Sequence, residues 1–252
     1  MGTGHGEQRQ FPDVALGIVC PMANEASSAD AFVRLVVETC TASGFESVRF
    51  FAVLDGVSTD GTRELLHQLA ANRPELEVVW APENRSVVDA YLRGYREAID
   101  AGCDWILEID AGFSHDPADI PAFFEAMADG HDCVFGSRFG AGGSITDSSW
   151  KRMLLSRGGS TLANALLGTG LEDVTSGFEL FRADVLRDVL ATGIRSRGPF
   201  FQTEIKARCR KLRIAEVPIR YRGASHTVGR AAIEDSFVNL GRLFVERLRS
   251  RL

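Results

Sequence analysis

The sequence predicts an α/β protein: a mostly parallel sheet flanked by helices. Two observations predict it. Short apolar runs alternate with longer amphipathic stretches through the first half of the chain, and a polar loop follows almost every apolar run. A repeating β-α-β-α order is the pattern of crossovers between parallel strands, with helices on both faces of the sheet.

Taken in order, the apolar runs predict strands over 14–20, 48–54, 76–80, 105–109 and 132–135, with helices over 27–42, 60–70, 87–101 and 117–128 between them. Ser27 or Ser28 is the expected cap of the first helix, Gly102 the stop of the third, and Asp116-Pro117 the cap and first-turn proline of the fourth. The rhythm changes after about residue 140. A glycine-rich stretch at 140–143 suggests a mobile loop, and a long amphipathic helix over 150–167 carries a small-residue break at Gly158 and Gly159. Helices near 183–190 and 200–209, a strand over 214–219 and a tail helix over 231–252 follow. The tail helix sets Ile233, Phe237, Leu240 and Phe244 on one side.

Bulk properties narrow the function classes. The 252 residues suit one large α/β domain, and 45% hydrophobic with 25% charged residues is ordinary globular composition. A net charge of −6 argues against a nucleic-acid partner, which calls for a basic face. Five scattered cysteines with no metal-ligand spacing read as free buried thiols of a reducing, cytoplasmic compartment. Residues 1–10 lack the apolar core of a signal peptide, and no run approaches the roughly 20 apolar residues of a spanning helix.

Ligands of parallel α/β sheets bind beyond the carboxyl ends of the strands. That rule selects five loops, 21–25, 55–62, 82–86, 110–117 and 136–138. Asp55, directly after a buried strand, is placed to accept hydrogen bonds from a ribose or base, whereas Asp60 reads better as a helix cap. Asp110 ends an apolar strand, where a charge needs a partner, and a divalent cation carrying a diphosphate is one. His115 reads as a structural loop histidine. Arg138 could grip phosphate oxygens through its fork, or form a salt bridge to Asp110 or another loop acid. The turn Asp173-Val-Thr175-Ser176-Gly177 suits close backbone approach by a ligand.

Together these residues resemble glycosyltransferase family 2, specifically its polyprenyl-phosphate branch of the dolichol-phosphate mannose synthase type. The resemblance is carried by Pro21 with Asn24-Glu25, by Asp55 with Ser58-Thr59-Asp60-Gly61-Thr62, and by Asp110-Ala111 with His115-Asp116-Pro117. Gly136-Ser137-Arg138, Thr175-Ser176-Gly177-Phe178, Gln202-Thr203-Glu204 and Glu216-Val217-Pro218-Ile219 continue it. It implies a GT-A fold and inverting transfer from a nucleoside-diphosphate sugar to a phosphate-bearing or small soluble acceptor. Residues 1–12 would then be a disordered tail and 13–230 the catalytic domain. Its nucleotide-binding half would cover about 13–139 and its helical acceptor side about 140–230, with 231–252 an amphipathic helix.

The resemblance assigns Pro21, Glu25 and Asp55 to the nucleoside and Asp110 to the metal-diphosphate. It assigns Arg138 and Arg152 to the acceptor phosphate, with Thr175, Ser176, Gln202, Glu204 and His226 on the acceptor side. The chain also departs from the pattern. The branch's Asp-x-Asp reads Asp110-Ala111-Gly112, and a third ligand position reads Ser114. A Mg²⁺ or Mn²⁺ site on Asp110 alone is incomplete, because hard cations want several oxygens. Weak or absent metal dependence is therefore expected, with Arg138, Arg152 and His226 supplying positive charge. A phosphate acceptor needs no general base; for a hydroxyl acceptor, Glu204 or Asp173 could serve. The alternative is a catalytically degenerate nucleotide-sugar-binding protein. For the tail helix, core packing or a homodimer contact is preferred over lying at the inner membrane face on Arg242, Arg247, Arg249 and Arg251.

Overall fold

The computed structural model describes residues 9–147, 150–223, 229–250 and 252, and within them the side chains of all but Lys151, Arg152 and Leu155. His226 and the Arg152 side chain, both candidates above, lie outside the described residues.

The chain alternates β1 (Phe11–Pro21), α1 (Ala29–Thr41), β2 (Phe45–Leu54), α2 (Thr62–Ala70), β3 (Leu76–Trp80), α3 (Val87–Asp100) and β4 (Trp105–Glu108). A short 3-10 turn (Pro117–Asp119) leads into α4 (Ile120–Ala128), followed by β5 (Cys133–Ser137), β6 (Ser144–Thr146) and α5 (Trp150–Leu167). The rest is β7 (Glu179–Arg182), α6 (Ala183–Ala191), α7 (Phe201–Cys209), β8 (Ile214–Pro218), β9 (Arg220–Arg222) and α8 (Arg230–Leu248). Seven strands form one sheet in the order β3-β2-β1-β4-β7-β5-β8, and β6 pairs with β9 beside it. Every neighbouring pair in the large sheet is parallel except the two made by β7, which runs antiparallel to β4 and β5.

Alternation along β1 divides the core. Leu16, Ile18 and Cys20 join the layer under α1, α2 and α4, with Phe32, Leu66 and Phe123. Val19 points the other way, into the layer of α3, α6 and α7, with Tyr95, Leu186 and Ile205. Helix α3 lies directly on the strands at Gly94, where a Cβ would come within 2.4 Å of a Val19 methyl. Outside this layer α8 packs on α5 and α7. Its buried Leu240 and Leu243 together contribute about 3–6 kcal/mol, so core packing accounts for this face of the tail helix.

Several expectations change. Strand β1 begins at Phe11, inside the presumed tail, because Phe11 pairs with Phe45 and their rings stack at 4.8 Å. Ser28 occupies the α1 N-cap position but makes no cap hydrogen bond; its hydroxyl turns to Glu25 instead. Helix α5 runs unbroken through Gly158 and Gly159. The 140–143 glycines form a turn closed by Gly143 N–H donating to Gly140 O at 2.9 Å. Only glycine fits at 143, since a Cβ would lie 2.6–3.0 Å from the backbone of Ser137 and Arg138. Phe237 faces outward at 62% exposure rather than joining Leu240 in the core. Two of the tail arginines are engaged within the protein, Arg242 with Glu204 and Arg247 with the Leu166 carbonyl. All five cysteines are buried and free, as expected.

Candidate active site

Strands β1, β2 and β3 are laid down in one direction across the sheet, and the chain then returns to place β4 on the other side of β1. Such a reversal opens a crevice at the carboxyl ends of the two central strands, where ligands of open α/β sheets bind. Pro21–Glu25 leave β1 at this point, and Asp110–Gly112 leave β4.

The loops are knitted together there. Asn24 N–H donates to Ser58 Oγ (3.2 Å), Glu25 N–H to Thr62 Oγ1 (2.7 Å) and Ala26 N–H to Asp60 Oδ2 (2.9 Å). Asp60 also accepts from Thr62 N–H and Oγ1, but Gly61, not Asp60, is the N-cap of α2 and has no side-chain cap bond, so Asp60 ties the 21–25 and 55–62 loops together rather than capping the helix. Asp55 is half-buried and turns its Oδ1 to Val57 N–H, a local turn that leaves the other oxygen at the rim. The 110–117 loop joins the 220–222 strand: Arg222 N–H donates to Ser114 O and Asp116 N–H to Arg220 O.

Asp110 is 41% exposed, and one of its oxygens accepts from the Tyr91 hydroxyl of α3. His115 is 1% exposed, its ring stacked on Phe178, and its Nδ1 accepts from Asp110 N–H. Burial holds its pKa below the usual histidine value, so it is a neutral structural residue that shapes the loop carrying Asp110. Gly112 has φ +73°, and a Cβ built there would lie 2.9 and 3.0 Å from the two Glu25 carboxylate oxygens. Glu25 thus fills the space a second loop carboxylate would use. Among the described residues no group of three or more His, Cys, Asp or Glu side chains is arranged to hold a metal. Asp110 and Glu25, whose carboxylate lies beside Gly112, are acids of neighbouring strand-end loops, and a hard cation on Asp110 would take its remaining oxygens from a diphosphate and water.

Arg138, at the end of β5, takes the salt-bridge reading. Its Nε and Nη2 donate to the two oxygens of fully buried Asp173 at 2.6 and 2.8 Å, and Nη2 also reaches Thr175 Oγ1 at 2.6 Å. Burial would raise the Asp173 pKa, but Arg138 and Lys206 pull it down to about 2. Asp173 is therefore unsuited to act as a base. Glu204, fully buried, is likewise engaged by Ser196, Arg208 and Arg242, and those contacts override burial to lower its pKa. Its carboxylate serves the α7–α8 contact, against the reading that it faces an acceptor. Gln202 donates to Glu108 and is 5% exposed, while Ser176 is 1% exposed with its carbonyl accepting from Lys206. Of the acceptor-side set, Thr175 lines a cavity beside Arg138, whereas Gln202 and Ser176 are buried against Glu108 and Lys206 and do not line it.

The sequence reading missed the charges beneath. Glu108 and Glu179 face each other across β4 and β7, both fully buried, with fully buried Lys206 Nζ 2.9 Å from Glu179. That contact is an ion pair without hydrogen-bond geometry, and both Glu179 oxygens lack a hydrogen-bond donor. Burial raises the Glu179 carboxyl to about 7 against the pull of Lys206. Burial and the Glu179 charge push Glu108 up as well. A carboxyl raised from an unfolded value of 4.5 to about 7 favours folding below pH 4.5, and that stability is lost as pH rises to 7. Wild type should lose on the order of 3 kcal/mol from this group across that window. Glu179→Gln should show no such loss, so chemical denaturation of both proteins at pH 5 and 7.5 checks it.

A cavity of about 250 Å³ lies between α5, α7 and α8, its lining mostly apolar. Arg138, Ser156 and Thr175, hydrogen-bonded to one another, form a polar part of its wall, and Leu162, Phe200 and Phe237 are among its apolar residues. Leu162 and Phe237 are also exposed, at 41% and 62%, beside Leu154 and Val238. A larger hollow of about 860 Å³ lies along the outer side of α3, where Arg93 and Arg197 are already paired with Glu83 and Asp89. It is separate from the crevice at Asp110.

Residues 18–190 match the model of glycosyl transferase family 2. The chain is 29% identical over 223 residues to polyprenol monophosphomannose synthase of Mycolicibacterium smegmatis, covering 87% of this chain and 82% of that one. It is 35% identical over 171 residues to undecaprenyl-phosphate mannosyltransferase of Micrococcus luteus, covering 67% and 70%. Among solved structures, glucosyl-3-phosphoglycerate synthase of Mycobacterium tuberculosis with bound UDP superposes with a TM-score of 0.61 at 14% identity, covering 93% of this chain and 80% of that one. The same enzyme has been solved with Mn²⁺, UDP and glucosyl-3-phosphoglycerate, with a TM-score of 0.57 at 16% identity, covering 95% and 80%. These structures speak to the shared GT-A fold. The parallel sheet with its inserted antiparallel strand, the crevice at Asp110 and the family match together make this chain a glycosyltransferase, a member of glycosyltransferase family 2.

Proposed function

We propose that this enzyme transfers a sugar from a nucleoside-diphosphate sugar to a polyprenyl phosphate, with inversion at the anomeric carbon. The observation that carries the reading is a cavity whose wall combines the Arg138 guanidinium and the Thr175 hydroxyl with mostly apolar side chains. A lipid phosphate has those two chemistries in one molecule. Its head would meet Arg138 and Thr175, and its chain would follow Leu162 and Phe237 to the exposed apolar faces of α5 and α8. The two sequence relatives, named for acting on polyprenyl acceptors, support the same class.

The donor would lie across the β1–β4 crevice, with Pro21, Glu25 and Asp55 toward the nucleoside and Asp110 toward the diphosphate. A phosphate oxygen of the acceptor attacks the anomeric carbon opposite the leaving group. One C–O bond forms as the C–O bond to the diphosphate breaks, and the nucleoside diphosphate departs. The acceptor is already an anion, so no base is required. This agrees with Asp173 and Glu204 both being held in ion pairs. Asp110 would hold a divalent cation, which when bound supplies positive charge to the departing diphosphate. Arg138 orients the acceptor phosphate while remaining fixed to Asp173.

The test incubates the protein with undecaprenyl phosphate in detergent and a panel of radiolabelled GDP- and UDP-sugars with Mg²⁺. Label should move into the organic phase with one donor and be released by mild acid. Label appearing only in a water-soluble product would replace the lipid with a small acceptor. Nucleotide binding without turnover on any acceptor would reduce the protein to a binding role.

A further inference from the structure

We infer that Tyr91 is a positioning residue for the donor site: its hydroxyl, carried by α3, fixes the direction in which the Asp110 carboxylate meets the donor. The inference rests on the donor reading above, in which Asp110 faces the diphosphate. Three observations carry it. Among the described residues Tyr91 is the only hydrogen-bond donor to the Asp110 side chain. It engages Oδ1 and leaves Oδ2 free of a hydrogen bond, on a residue that is 41% exposed. His115 holds only the backbone of Asp110, accepting from its N–H at 3.3 Å, and its Nδ1 stands 3.8 Å from Oδ2. Residues 110–112 contain no second acid, so the orientation of this one carboxylate decides what the loop presents.

The second observation is a match of spacing between α3 and β4. A crossover helix runs back along the sheet from the carboxyl ends of the strands. Tyr91 and Tyr95, one turn apart, are separated by about 6 Å along the helix. Asp110 and Glu108, two residues apart along extended chain, are separated by about 6.6 Å. Ile106 lies in the α3 layer of the core and Leu107 in the opposite one, so alternation turns Glu108 and Asp110 toward α3. Tyr95 accordingly donates to Glu108, as Tyr91 does to Asp110. The inner pair is wholly buried and serves the fold, whereas the outer pair opens on the crevice. The third observation is how firmly the donor is held. Tyr91 is 2% exposed, with its ring stacked on Phe201 of α7 at 5.5 Å. One turn further along, Gly94 seats α3 on the strands, where a Cβ would come within 2.4 Å of a Val19 methyl and 2.9 Å of a Val53 methyl. A hydroxyl locked by packing in this way holds a binding acid in one rotamer before the ligand arrives.

The test is a double-mutant cycle on nucleotide affinity. Binding of UDP and of GDP in Mg²⁺ is measured by titration calorimetry for wild type, Tyr91→Phe, Asp110→Ala, Tyr91→Phe/Asp110→Ala and Tyr95→Phe. Ligand-observed NMR extends the range to millimolar Kd in the Asp110→Ala background, and thermal melts establish that each variant is folded. With the nucleotide that wild type binds, Tyr91→Phe should weaken affinity about 10–100-fold, the usual effect of losing the partner that orients a binding group. In the Asp110→Ala background the same substitution should change affinity by less than about twofold, because Tyr91 then has nothing to orient. Tyr95→Phe leaves Glu108 with Gln202 as donor, so it should lower Tm while affinity stays within about twofold of wild type. Equal losses from Tyr91→Phe in both backgrounds would mean that it acts through packing, and would overturn the proposal. Wild-type affinity in folded Tyr91→Phe, or a loss in Tyr95→Phe as large as in Tyr91→Phe, would also overturn it. These outcomes strike the proposal alone. Wild type that binds neither nucleotide removes the donor reading and the proposal together.

Discussion

Replacing Lys206 with methionine is expected to lower stability by about 3–5 kcal/mol, a fall in Tm of roughly 6–20 °C for a chain of this size. The ammonium is fully buried, 2.9 Å from Glu179 and 2.7 Å from the Ser176 carbonyl, and it lies 5.2 Å above the Phe135 ring. Without it, two facing carboxyls on adjacent central strands lose their only nearby cation among the groups that shift them, and Glu179 must fold protonated. The penalty therefore depends on pH. It should be smaller at pH 5, where the carboxyl is already neutral, than at pH 8, where protonating it costs extra. Lys206→Met/Glu179→Leu should regain most of the loss, since an apolar pair of similar volume replaces a buried ion pair at little cost. Thermal melts of the three proteins at both pH values check this. Equal Tm for wild type and Lys206→Met would show that the pair carries no stability.

This cluster also marks where sequence reading stops. The strands of the first half were legible because each is a run of apolar residues long enough to stand out, with a turn after it. Strand β7 was not: Glu179–Arg182 has two charges in four residues, and no element was expected there. It is a strand only because β4 and β5 leave a gap that an antiparallel segment fills. Strands β6 and β9, three residues each, exist by pairing with one another. Glu108 did carry a signal, an acid inside the apolar run 105–109, but its partners Glu179 and Lys206 lie far along the chain and only the tertiary fold joins them. Asp110, Glu25 and Asp55 were legible as strand-end acids because the sheet fixes where strand ends converge. That Glu25 would occupy the place vacated at Gly112 was not, because a side chain filling another residue's absence is a fact of coordinates.

The second large effect is expected at Arg138, whose guanidinium is fixed to Asp173 and also lines the cavity proposed for the acceptor. Arg138→Met leaves Asp173, fully buried, without its two-point partner, so stability should fall by about 3–5 kcal/mol. The pH response should also invert. In wild type the Asp173 carboxyl is held at about 2, so its contribution is present above 3.8 and lost only in strong acid. Without the guanidinium, burial dominates and raises the carboxyl, so the variant should become less stable as pH rises from 4 to 7. Arg138→Lys separates fold from function. It keeps a cation beside Asp173 but loses Nη1, the guanidinium nitrogen not used in the contacts to Asp173, Ser156 and Thr175 and so the one placed to donate to a phosphate. If the acceptor phosphate docks here, Arg138→Lys should lower kcat/KM for undecaprenyl phosphate about 10–100-fold, the equivalent of one charge-assisted hydrogen bond, while donor KM stays near wild type. Steady-state kinetics varying each substrate in turn decide it. A parallel loss toward donor and acceptor would mean that Arg138 acts through the fold, and the phosphate would have to be sought elsewhere along the cavity.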